Sequence, residues 1–308
     1  MNPRIDIVFK KLFGVDKNKD LLISLINSIV TEKDQVAQVT ICNPYTSKNF
    51  KKDKQSVLDI RAISSAGVHY NIEIQVADEK DYDKRALFYW GKLYTEQLQE
   101  TDPYAKLNKT IGIHILNFTS ITGEPKYHNI FQLREVDSHL HYFENMELHT
   151  IELNKFWNQE PAHQDRATEL ELLFSKAKKS LDVWVAFLTR HDLLSQKNLP
   201  APLNDPCLKK ALHVLETMNF TKKEREEYEA KLNWWRIETS ALDKKGEVSF
   251  QLGIEQGRQE RQEEITKAQE ERRRLIQGML QKGLDISIIM ECTGLTEEAL
   301  NDLRKGDS

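Results

Sequence analysis

The chain has no paired cysteine spacing. Its three cysteines, Cys42, Cys207 and Cys292, are scattered, which argues against a zinc site and suits a reducing compartment. No apolar run approaches the ~18 uninterrupted residues of a membrane span. The opening residues do not join a basic segment to an apolar run and a cleavage site. A cytoplasmic protein with no membrane partner is therefore expected. There is no surplus of positive charge either: the net charge is -4, which excludes a globally basic, charge-driven nucleic-acid binder. A local basic groove or a metal-neutralised acidic site stays open. A Gly-x-Ser-x-Gly elbow, a phosphate-binding Gly-rich loop with a following Lys, and a His-Glu-x-x-His cluster are all missing, which leaves acyl transfer and nucleoside triphosphate hydrolysis without their usual signatures.

What is present is a 308-residue chain, 39% hydrophobic and 30% charged, enough for two domains or for one domain with a long appendage. The segment Asp6 to Gly14 and the apolar stretch Asp20 to Val30 have helical spacing. A strand is expected around Gln35 to Asn43, ending at Pro44. Lys48, Lys51, Lys52 and Lys54 follow as a basic run, read as a solvated loop or as a phosphate contact.

The two stretches that organise the chain come next. Gln55 to Ile63 and Val68 to Val76 both alternate polar with apolar residues and are separated by the turn-like Ser64-Ser-Ala-Gly67. In an antiparallel hairpin, alternation turns Leu58, Ile60, Ile72, Ile74 and Val76 inward and gathers Asp59, Asn71, Glu73 and Gln75 on the other face. Asp59 then comes within side-chain reach of Glu73, and oxygen-rich patches of this kind suit hard divalent cations. The same alternation also fits a half-buried sheet with a wet face, so spacing alone leaves both readings open.

Tyr82 to Leu98 has helical spacing, with Leu87, Trp90, Leu93, Tyr94 and Leu98 as its apolar positions and Arg85 and Tyr89 one turn apart. Lys109 to Phe118, dense in β-branched residues, reads as a central strand. Further strands are expected at Tyr127 to Val136, Leu140 to Phe143 and Glu147 to Leu153. His128, His139, His141 and His149 form no metal-binding cluster and read as strand or surface residues.

From Arg166 the strand signals stop. Helices are expected over Glu169 to Lys178, Leu181 to Arg190, Asp205 to Met218 and Lys222 to Ser240, with Trp234 and Trp235 packing on the core or forming a binding surface. Gly246 to Gln281 mixes charges too densely for a nucleic-acid patch and reads as a solvated helix with a sparse seam for self-association. The tail has the pattern of a helix-turn-helix: Ile286 to Cys292, a Thr293-Gly294-Leu295 turn, and Thr296 as the next N-cap. Glu297, Glu298, Asn301 and Asp302 on its second helix suit packing or dimerisation better than contact with phosphates.

Several of these segments together, Asp6-Ile-Val-Phe-Lys-Lys-Leu-Phe-Gly14, Val57-Leu-Asp-Ile-Arg-Ala62, Tyr70-Asn-Ile-Glu-Ile-Gln-Val76 and Lys84-Arg-Ala-Leu-Phe-Tyr-Trp-Gly-Lys-Leu-Tyr94, resemble the Rpn-type recombination-promoting nucleases. That family, also described as transposase-like, lies within the PD-(D/E)XK nuclease superfamily. The resemblance implies an α/β fold, a restriction-endonuclease-like mixed sheet flanked by helices and followed by an all-helical C-terminal region. It further implies divalent-metal-dependent cleavage of DNA, linked to recombination or mobile DNA. Carried over by position, Asp59 and Glu73 are the metal-binding acids, the Ile74 carbonyl is a further ligand, and Gln75 stands where the superfamily usually has Lys. Asp6, Arg85 and Tyr89 are supporting candidates, and Lys51, Lys52, Lys54 and Lys84 are nucleic-acid contacts. Magnesium is the expected cation, with manganese or calcium as alternatives.

The expected organisation is a nuclease-like core over 1–160, a helical region packing on it over 161–245, a charged helix over 246–281, a helix-turn-helix-like tail over 282–308, and a homodimer. The alternative to a working enzyme is a weak or inactive DNA-binding or assembly protein that keeps the fold, because Gln75 brings no charge.

Overall fold

A computed structural model describes residues 1–42, 60–78, 81–157, 165–196 and 199–305. Six strands among these residues form one mixed sheet, β1 (Val39–Ile41), β2 (Ile60–Ser64), β3 (His69–Gln75), β4 (Thr110–Leu116), β5 (His128–Gln132) and β6 (Met146–Glu152), in the order β1-β2-β3-β4-β6-β5. The β2–β3 hairpin is antiparallel with Ile60 opposite Ile72. Gly67 turns it with a φ of +83°, a conformation that a side chain would strain. The Ser64 N–H donates to the Val68 carbonyl at 2.9 Å and closes the turn. β3, β4 and β6 run parallel. A parallel pair needs a crossover, and α3 (Tyr82–Thr95) supplies it between β3 and β4. All seven residues of β4 are buried, as its β-branched composition predicts for a strand covered on both faces.

Ile72, Ile113 and Ile151 point to the face packed by α1 (Asp6–Phe13), α2 (Lys19–Ile29), α5 (Ser180–Arg190) and α6 (Pro206–Thr217). One continuous apolar core takes in these helices and the sheet, so residues on either side of position 160 share it. α5 is buried from Leu181 to Thr189. Its Asp182 carboxylate accepts the Lys178 and Lys179 N–H groups at 2.8 and 2.7 Å and the Tyr127 hydroxyl, which anchors the helix start to the sheet side of the core. α4 (Arg166–Lys176) is capped by the Asp165 carboxylate.

Several elements differ from expectation. The first strand is only Val39–Ile41, preceded by a short 3-10 turn at Glu32–Asp34. Leu140 to Phe143 is not a strand: His141 forms an isolated bridge to Arg134, and Leu140 and Tyr142 are exposed. The alternation there is strand-like, but among the described residues it has no partner beyond that single bridge. In α3 the buried positions are Tyr82, Ala86, Trp90 and Leu93, while Leu87, expected on the apolar side, is exposed beside Phe88. Trp90 sets that stripe by donating its Nε1–H to the Thr110 carbonyl at 2.9 Å.

The chain divides into two compact units, Met1–Arg236 and Ile237–Ser308. α7 runs from Lys222 to Gln281 and passes through position 245 without a break. Within the second unit, Ile276 near the end of α7 forms a small apolar core with Ile289 of α8 (Ile286–Thr293) and Leu300 of α9 (Glu297–Lys305). Asp285 caps α8, and Gly294 ends it with a φ of +72°. The tail is thus a three-helix unit that borrows the last turns of the charged helix. Among the described residues no helix is long and apolar enough to cross a membrane.

Candidate metal and nucleic-acid site

β3 carries Asn71, Glu73 and Gln75 on one face, and α3 lies over it. The expectation of a wet face fails here: Glu73 is 4% exposed and Asn71 is fully buried. The Asn71 Nδ2–H donates to Glu73 Oε1 at 2.9 Å, which fixes the carboxylate's orientation from two residues away. Beside Glu73 in the parallel register stands His114 of β4. Its Nδ1 is 2.8 Å from the Tyr82 hydroxyl. Burial, followed by the positive field of Arg85, lowers His114 to about 4, so its ring is neutral at pH 7. Space for that ring depends on Gly112, where an added Cβ would lie 2.6 Å from Leu148 Cδ2 and 3.1 Å from His114 Nε2.

At the C-terminal end of β3 the chain opens on a cavity of about 640 Å³. Glu73, Ile74, Gln75, Arg85 and Asp6 line it from the core side. Asp6 sits in the first turn of α1, where a negative charge meets the positive end of the helix dipole. Its Oδ2 pairs with Lys231 Nζ at 2.5 Å, while its Oδ1 is buried without a hydrogen-bond partner among the described residues. The Gln75 Nε2–H donates to the Ala77 carbonyl at 3.2 Å. The Arg85 guanidinium lies 5.1 Å over the Tyr82 ring, which holds it against the sheet.

The cavity therefore gathers Asp6, Glu73, Ile74, Gln75 and Arg85 but not every expected residue. Tyr89 packs edge-on to Phe88 and is not among the residues that line the cavity. Lys84 is exposed and pairs with Asp81 at 2.6 Å. Asp59, Lys51, Lys52 and Lys54 lie outside the described residues; Ile60, the residue after Asp59, is the first described residue of β2. Three features have no counterpart in the sequence-based reading of the site: His114, the Gly112 gap, and a wall contributed by α7. That wall carries Lys231, Trp234 and Trp235. Helical spacing marks these α7 residues as one face, but no local pattern ties them to a strand some 160 residues earlier.

The donors are oxygen-rich and anionic. Among the described residues no group of three or more His, Cys, Asp or Glu side chains is placed to hold a metal ion. A magnesium-type cation asks for only one or two carboxylates, with water and substrate phosphate filling the shell. The Glu73 carboxylate and the unpartnered Asp6 oxygen on one cavity fit that requirement.

The fold and this cleft define a nuclease-type α/β core with a helix-turn-helix appendage. A family model described as PD-(D/E)XK nuclease family transposase matches residues 3–245, and one described as Rpn/YhgA-like nuclease family, C-terminal HTH domain, matches residues 270–305. The chain belongs to the PD-(D/E)XK nuclease family transposases. No curated protein and no solved structure matches it.

Proposed function

We propose that this protein is a divalent-metal-dependent endonuclease that hydrolyses DNA phosphodiester bonds in recombination or on mobile DNA. One observation carries the reading: a buried, oriented Glu73 carboxylate opens on the same cavity as an unpartnered Asp6 oxygen and the cationic Arg85. Glu73 and Asp59, with the Ile74 carbonyl and with Asp6 in support, would hold magnesium, with manganese or calcium as alternatives. When bound, the cation neutralises charge on the scissile phosphate and makes an attacking water more acidic.

The chain's own residues do the rest. Asn71 keeps the Glu73 carboxylate aimed at the cavity. Gln75 orients the attacking water by hydrogen bonding but contributes no charge. Arg85 supplies the positive charge that a Lys at position 75 would have brought to the developing phosphate charge. Tyr89 has a supporting role through α3. Lys51, Lys52, Lys54 and the exposed Lys84 contact the DNA backbone, where cations replace condensed counterions. We place the protein in the cytoplasm, on its unpaired cysteines.

The test incubates the full chain with supercoiled plasmid and Mg²⁺, Mn²⁺ or Ca²⁺, beside Asp59→Ala and Glu73→Ala. Either substitution is expected to slow nicking by about a hundredfold or more, since each removes charge that holds the cation. Unchanged cutting by both variants would sink the site assignment. The helix-turn-helix match and the neutral Gln75 favour a second reading, a DNA-binding or assembly protein without cleavage. DNA binding with no divalent cation uptake in calorimetry selects that reading.

A further inference from the structure

The wall that α7 contributes to the cleft is not accounted for by metal chemistry. Glu227, Ala230, Lys231, Trp234 and Trp235 recur at helical spacing and face the cavity from one side of the helix. Two of them are fixed by contacts. Trp235 is partly buried against the core, with the Arg4 guanidinium 4.4 Å over its ring, and Arg4 is in turn held by the Asn117 side chain at 2.7 Å. Lys231 is tied to Asp6 at 2.5 Å and lies 3.7 Å from Glu227.

Trp234 is different. It is 50% exposed, and among the described residues no aromatic or cationic group stacks on its ring. A large apolar ring left open to solvent on the wall of a charged cleft serves neither the core nor the ion pairs. Its neighbour on the same face, Ala230, leaves room beside it. The same cavity is lined by Glu73, Gln75 and Arg85, assigned above to the cation, the attacking water and the phosphate. Trp234 and Arg85 line one cavity of about 640 Å³, a volume that suits a nucleotide and not a double helix.

We infer that Trp234 stacks on an unpaired base beside the scissile phosphate, so that the cleft takes single-stranded or locally unpaired DNA in preference to intact duplex. This rests on the endonuclease reading for the phosphate's position. Its physical basis is general: every base has a π-face, and an indole offers the largest side-chain platform for it. Bases flanking a reaction centre are commonly drawn out of the helix in this way.

The experiment measures binding in EDTA, where no cleavage occurs, by fluorescence anisotropy of a short labelled single-stranded deoxyribonucleotide. The full chain is compared with Trp234→Ala and Trp234→Phe. Trp234→Ala is expected to weaken binding about tenfold and Trp234→Phe to restore most of it. An abasic version of the strand should bind the unmodified protein as weakly as the intact strand binds Trp234→Ala, with no further loss in that variant. Blunt duplex affinity should be the same for all three proteins. Unchanged single-strand affinity in Trp234→Ala, or an equal loss on intact and abasic strands, overturns the proposal; the abasic comparison on the unmodified protein stands even if a variant misfolds. Glu73→Ala should keep the base dependence while losing cleavage. Base-dependent binding in a protein that never cuts DNA would remove the endonuclease reading and leave the stacking intact.

Discussion

Gly112 shows how tightly one residue governs the ground beneath the cleft. It sits mid-strand in β4, where glycine ordinarily weakens a sheet, yet Leu148 of β6 and His114 of its own strand occupy the space where a Cβ would project. That space lets the His114 ring lie beside Glu73 and reach the Tyr82 hydroxyl. Overpacking of a filled interior costs about 1–3 kcal/mol. Gly112→Ala should lower the unfolding free energy by roughly that amount in urea titration. The closer contact is with the end of the Leu148 side chain, so Gly112→Ala combined with Leu148→Ala should lose less than the sum of the two single changes. Strict additivity would mean that the gap is not what glycine provides.

At the scale of elements, the strands buried on both faces were the most legible part of the sequence. The β-branched run of β4 announces a central strand, and the alternation of β2 and β3 about the Gly67 turn announces the hairpin. Legibility ends where tertiary partners decide. The polar face of β3 has the pattern of a wet surface, and only α3 lying over it makes Glu73 a buried carboxylate. Leu140 to Phe143 has strand-like alternation but, among the described residues, only a single bridge to pair with. The single helix from Lys222 to Gln281 reads as two because its charged middle has no apolar period to follow. Asp6 and Lys231 meet only in the folded chain, across 225 positions of sequence.

β5 and β6 also bury a polar chain that local patterns hide. Lys109 bonds Asp34 at 2.7 Å and Glu147 at 3.1 Å; Glu147 accepts from Gln132 and is 2.8 Å from His149; and His149 Nδ1 is 2.9 Å from His128 Nε2. Burial, then the neighbouring His149 and Lys179, lowers His128 to about 4, and burial lowers His191 to about 4 as well. Burial opposes the Glu147 charge, but bonds from His149, Gln132 and Lys109 outweigh it and hold that carboxyl at about 2. Both histidines take up protons more readily when unfolded. Their contribution is complete above the unfolded value of about 6.5 and is lost as pH falls towards 4. Glu147 adds a further loss below about 4.5. His114, buried and also lowered to about 4, loses stability over the same range, so urea unfolding should show stability falling by about 3–5 kcal/mol between pH 7 and pH 5, a figure reduced for the partial exposure of His128 and His191. His128→Asn should flatten that slope, and a profile level across the window would refute the assignment.

For the molecule as a whole, the open question is what the second unit does with its apolar residues. Its three-helix end has its own core in Ile276, Ile289 and Leu300, and Glu297 and Glu298 at the start of α9 are exposed, an acidic approach that phosphates repel. Along α7, Val248 and Leu252 are exposed one turn apart, as are Phe250 and Ile254. Among the described residues of the unit these pairs are left exposed to solvent, and burying them against a second copy gains the apolar area that exposure forfeits. We propose that this stretch makes the chain a dimer. Two copies would also bring two clefts to one DNA, a requirement for cutting both strands when each site cuts one. Light scattering should give twice the 35.9 kDa of one chain, and Val248→Glu with Leu252→Glu should shift the mass towards one chain, because paired like charges on the facing helices repel. The same double variant, 14 and 18 positions beyond Trp234 in the sequence, should still nick a plasmid with Mg²⁺ but yield less linear product, since strand cuts would no longer be coupled. A single-chain mass for both proteins would end the dimer proposal, and an unchanged ratio of linear to nicked product would separate oligomeric state from double-strand cutting.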